Sequence, residues 1–79
     1  RAKAASPGAR DYKTRLQEVL AQTGRRPAYE VEGRGPDHDR RFRAEAVIDG
    51  AVMGSGEGSS KKEAEQAAAR AALERLAQS

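Results

Sequence analysis

The sequence has no cysteine and no tryptophan, and only one Phe and two Tyr among 79 residues. Without thiols there is neither a disulfide framework nor a thiolate zinc site, so the fold must stand on its core alone, as expected of a module from a reducing, cytoplasmic setting. With so few rings, that core must be built from Ala, Val, Leu and those few aromatics. A chain of this length forms one small domain, near the size at which a single core is only marginally stable. No apolar run approaches membrane-spanning length, and the basic N-terminus lacks the apolar stretch of a signal peptide. One His and scattered carboxylates assemble neither a nucleophilic triad nor a two-metal cluster. The chain is therefore expected to bind rather than to catalyse.

Charged residues make up 34% of the chain, yet the net charge is only +3. Its distribution is uneven. Residues 1–27 carry seven Lys/Arg against two acids, residues 28–60 four against seven, and residues 61–79 four against three. A polyelectrolyte binder of the uniform kind would be basic throughout, so recognition of an anion here must be local and geometric.

Residues 1–10, RAKAASPGAR, are small, basic and without periodicity, which predicts a flexible linker from an upstream domain. From Asp11 the pattern turns helical. Asp11 is the expected N-cap, and Leu16, Val19 and Leu20 form an apolar stripe at i, i+3 and i+4. Gly24, followed by Arg25, Arg26 and Pro27, marks the stop. The segments AYEVEG (28–33) and RFRAEAVI (41–48) alternate apolar and polar residues, the signature of strands with one buried face. Between them GRGPDHD (33–39) is too long for a tight hairpin. Asp49-Gly50 is a two-residue hairpin signal leading into a third strand, AVMGSGEG. The last helix begins at Ser59/Ser60, where Ser60 and Glu63 have capping-box spacing. Its buried arc is expected to be Ala64, Ala67, Ala68, Ala71 and Ala72, with Leu73 and Leu76 at the margin. The expected fold is α+β, in the order α-β-β-β-α: a three-stranded antiparallel meander with both helices packed on one face.

Four features invite a functional reading. Thr14, Gln17 and Glu18 lie opposite the apolar stripe, either as the wet side of an amphipathic helix or as hydrogen-bonding groups for a groove. Asp37-His38-Asp39 could suggest metal ligands, but successive loop residues seldom converge on one ion and no distal partner is evident. The Gly-rich GSGEG run lacks the Gly-Lys-Ser/Thr ending of a phosphate loop, and Ser59 stands where a dinucleotide fingerprint needs Gly. Lys61 and Lys62 are the most informative. The helix dipole disfavours cations at an N-terminus by about 0.3–1 kcal/mol each. Two ammonium groups beside free backbone amides are costly alone and favourable once an anion arrives.

Together, GPDHD in the long loop, DYKTRLQE opening the first helix and GEGSSKKEAEQAAARAAL opening the last resemble the double-stranded-RNA-binding domain. The version at the C-terminus of bacterial ribonuclease III is the nearest likeness, over residues 11–76. The resemblance implies a three-point grip on A-form RNA: helix 1 in one minor groove, the β1–β2 loop in the next, and the last helix on the phosphates between. It assigns RNA contacts to Thr14, Gln17 and Glu18, to His38 with Pro36 shaping the approach, and to Lys61 and Lys62 supported by Ser60 and Gln66. Neither a metal nor a cofactor is implied within this domain, nor any membrane partner. Mg²⁺ and homodimerisation are expected of a nuclease domain outside these residues. Two departures stand out: Ala21 replaces a frequent Gln, and Glu65 stands where many relatives have a third Lys. Some domains of this fold have instead become protein-interaction or dimerisation modules, the alternative reading.

Overall fold

The structure, a computed structural model, describes residues 11–78; the expected linker 1–10 lies outside them. Helix α1 runs Tyr12–Ala21, strands β1, β2 and β3 run Ala28–Arg34, Arg41–Ile48 and Ala51–Gly58, and helix α2 runs Lys61–Gln78. The strands form one antiparallel sheet in the order β1-β2-β3.

Local chemistry sets most of the boundaries. Asp11 caps α1, its carboxylate accepting from the Thr14 amide at 3.1 Å. The helix itself ends at Ala21, before the expected stop, but Gly24 closes it: at φ +72°, Gly24 donates to the Ala21 carbonyl and Arg25 to the Leu20 carbonyl. This is the two-bond Schellman closure that favours glycine. Asp49 and Gly50, at φ +55° and +80°, make the tight turn between β2 and β3, with the two positive angles that match the twist of a hairpin.

The core contains Leu16, Leu20, Ala44, Ala46, Ile48, Ala64, Ala68, Ala69 and Ala72, with Tyr29, Val31, Phe42, Met53, Leu73 and Leu76 packed around it. The alternation of β1 and β2 therefore points inward as their sequences require. Two expectations on the helices need correction. Val19 is 38% exposed, because the α1 interface is narrow enough for Leu16 and Leu20 to fill it. Ala69 is fully buried, whereas Ala67 and Ala71 are only half-buried. Ala69 shares a helical sector with Gln66 and Leu73, and that sector faces α1, so the buried surface of α2 wraps further than one arc.

Helix α2 lies directly on the sheet, and α1 packs against α2. The close approach depends on β3. Its inward positions are Gly54, Gly56 and Gly58, opposite Ala46, Ala44 and Phe42. A Cβ on Gly54 would lie 2.5 Å from the Ala68 carbonyl oxygen, and one on Gly56 2.6 Å from the Ala68 nitrogen. On Gly58 it would lie 2.5 Å from the Glu63 Cβ. The glycines are the floor on which an alanine-faced helix rests, backbone against backbone.

Candidate nucleic-acid interface

At the N-terminus of α2, Ser60 is half-buried and its hydroxyl accepts from the Glu63 amide at 3.1 Å. The Glu63 carboxylate reaches back, not to Ser60 itself but to Ser59, accepting from its amide at 3.0 Å and its hydroxyl at 2.8 Å. Those bonds hold the Glu63 carboxyl below its ordinary range, the Ser59 amide first and its hydroxyl second. The capping box thus fixes the helix end while the first-turn amides of Lys61 and Lys62 have no intrahelical partner. Both lysines are exposed. They extend from a helix end whose dipole and amides favour negative charge.

The β1–β2 loop stands beside this helix end. Gly35, at φ +94°, folds the chain so tightly that a Cβ there would lie 2.8 Å from the Asp39 carbonyl oxygen. Pro36 follows in extended conformation, and Asp37–Asp39 form a 3-10 turn closed by the Asp39 amide on the Pro36 carbonyl at 2.9 Å. Arg40 pairs with Asp37 at 3.2 Å. His38 is exposed at the tip. The loop, β2 and the segment leading into α2 share one shallow hollow, lined by Asp37, His38, Asp39, Arg40, Phe42 and Ser59. Among the described residues no group of acidic, His and Cys side chains is arranged to hold a metal.

On α1, Thr14, Gln17 and Glu18 are all exposed. The Thr14 hydroxyl donates to Asp11 at 2.7 Å, so its oxygen remains available as an acceptor. Ala21, the next position on that face, is exposed and adds no polar group.

Gln66 is the residue whose expected role changes. Its amide oxygen accepts from the Tyr12 and Lys13 amides at 2.7 and 3.3 Å, and its amide nitrogen donates to Asp11 at 2.9 Å. A side chain so engaged holds α1 in place instead of reaching outward with the lysines. Asp11, bonded by Gln66 and Thr14, has its carboxyl lowered to about 2. Beside it lies a cluster the sequence did not disclose. Lys13 pairs with Glu65 at 2.5 Å, and its ammonium sits 5.1 Å from the centre of the Tyr29 ring. Burial, then the charges of Glu65 and Asp11, push the Tyr29 phenol up to about 12. Arg70 approaches the Tyr12 ring at 5.8 Å on the outer side of the same seam.

These features define a class: a small α+β module with a polar helix face, an exposed loop tip and a cationic helix end. The sequence pattern of the double-stranded RNA binding motif matches residues 12–76. Ribonuclease 3 of Nocardia farcinica is 54% identical over 67 residues, 84% of this chain and 28% of that protein. Ribonuclease 3 of Geobacter metallireducens is 53% identical over 70 residues, 86% of this chain and 28% of that protein. The chain thus spans little more than a quarter of these relatives. Among solved structures, that of Arabidopsis HYL1 superposes with a TM-score of 0.76 at 38% identity, covering 84% of this chain and 96% of that one. The structure of both double-stranded-RNA-binding domains of DRB4 gives 0.72 at 30% identity, covering 94% and 49%. The chain belongs to the double-stranded RNA binding motif family, and it is a domain that binds double-stranded RNA.

Proposed function

We propose that the domain grips duplex RNA by shape at three points. Thr14, Gln17 and Glu18 enter one minor groove, the Pro36–His38 loop tip enters the next, and Lys61 and Lys62 lie on the phosphates between, beside Ser60. The observation that carries this reading is the pair of exposed lysines, Lys61 and Lys62, at a capped helix N-terminus that follows directly on Ser59, which lines one hollow with the His38 loop. Recognition of this kind reads 2′-hydroxyls and groove width, so it is largely indifferent to base sequence.

In the longer protein, the same reading makes this domain the RNA-holding arm of a ribonuclease III. Mg²⁺-dependent cleavage and homodimerisation belong to that enzyme's nuclease domain, and its setting is the cytoplasm. Titrating the 79-residue chain with RNA and DNA duplexes of one sequence tests the grip. RNA binds with steep salt dependence and B-form DNA binds far more weakly; equal affinity for the two would sink the reading.

A further inference from the structure

The seam between α1 and α2 runs between two of the three contact surfaces, and one charge pair spans it. Lys13 precedes Thr14 and lies one helical turn before Gln17, so it borders the groove-facing side of α1. Glu65 lies one turn after Lys61 and three residues after Lys62 on α2, below the phosphate-facing lysines. The pair is 2.5 Å apart, with the Lys13 and Glu65 side chains 37% and 22% exposed. Gln66, binding the Lys13 amide, fixes where that lysine starts from, and the Tyr29 ring backs its ammonium on the inner side.

A carboxylate at position 65 should be a liability, because it stands one turn from groups that must approach phosphates. Lys13 reaches across from the other helix and places its ammonium directly on it. The alternative of a lone Glu65 would leave a half-buried negative charge at the edge of an anion-binding front.

We infer that Lys13 and Glu65 set the charge of the RNA-facing front: Lys13 masks Glu65 from the phosphates, so the pair holds RNA affinity at an intermediate level. The inference rests on the duplex-RNA reading above. It makes Lys13 a positioning and charge-setting residue at the interface, in the place where a third cation would otherwise come from α2.

The test is a charge cycle on the 79-residue chain, using an RNA duplex of about 20 base pairs, long enough for the roughly 16 that such a domain covers. Affinity is measured across a series of salt concentrations for wild type, Lys13→Met, Glu65→Gln, the double variant and Lys13→Arg. Removing one cation's net effect is worth about five- to tenfold in affinity near 0.1 M salt, and about 0.9 in the slope of log affinity against log salt. Lys13→Met is expected to weaken binding by that factor and flatten the slope. Glu65→Gln is expected to tighten binding by a similar factor and steepen it. The double variant returns to within about twofold of wild type, and Lys13→Arg stays there. Thermal melts confirm that each variant is folded; should Lys13→Met unfold, Glu65→Gln and Lys13→Arg still decide the sign. Unchanged affinity and slope in the folded single variants, or equal weakening in both, would overturn the inference. Failure of the wild type to bind duplex RNA would instead overturn the RNA reading, and the inference with it.

Discussion

Helix α2 makes two interfaces of opposite character. Against β3 it presents Ala64, Ala68 and Ala72 to a track of glycines, with almost no side-chain atoms between the backbones. Against α1 it presents Glu65 and Gln66, joined to Lys13, Tyr12 and Asp11 through polar side chains. The first interface has no tolerance for volume and no titratable group at its centre. The second can accept changes of shape but responds to charge and pH. One helix is therefore anchored by sterics on one side and adjusted by electrostatics on the other.

Adding volume to the glycine track should produce the largest effect. Gly56→Val places a branched side chain where even a Cβ would lie 2.6 Å from backbone atoms of α2. The helix must lift, at an expected cost of about 3 kcal/mol. In a domain of this size each kcal/mol is worth roughly 4–8 °C, so a thermal melt should show a fall of more than about 10 °C. A melt within 2 °C of wild type would mean that the close approach is dispensable.

Next in size is the double change Lys61→Ala and Lys62→Ala, which should separate function from stability. Loss of two phosphate contacts weakens RNA binding by about 50-fold near 0.1 M salt. The fold should be as stable as wild type or slightly more so, because both cations oppose the helix dipole by about 0.3–1 kcal/mol each. A parallel loss of stability and binding would place these lysines in the framework instead.

The smallest effect belongs to the polar seam and disappears in acid. Asp11 has its folded-state carboxyl lowered from 3.8 to about 2. Its contribution is thus fully present above the unfolded value and is lost as pH falls from about 4 through about 2. Urea melts of wild type and Asp11→Asn should differ at pH 6 and converge toward pH 2. A constant difference across that range would show that the carboxylate's charge is not what matters. The centre of the β3 interface should add no such dependence, since only Ala67, Ala68, Ala71 and Ala72 lie against Gly54 and Gly56.

Features governed by neighbours in sequence were legible in advance. The Asp11 cap, the Asp49-Gly50 turn, the alternation of β1 and β2 and the capping box at Ser60 each depend on residues within a few positions. The helix end at Lys61 and Lys62 could be read for the same reason. The seam could not, because Gln66 and Glu65 meet α1 across 52 to 55 residues of chain. Nothing in the local pattern distinguishes a Gln that reaches outward from one that turns toward another helix. The exposure of Val19 and burial of Ala69 have the same origin, since both depend on the angle at which α1 meets α2. The glycine spacing in GSGEG is plain in the sequence, but the register that places all three under α2 emerges only from pairing with β2.

The glycine track also bears on how lengths are kept constant. Interfaces padded with long side chains change thickness as rotamers exchange. Here the height of α2 above β3, and with it the position of the lysine-bearing helix, is set by backbone contact at Gly54, Gly56 and Gly58. Under the proposed three-point grip, the domain is a caliper with one fixed jaw, set against the nearly invariant groove spacing of an RNA helix.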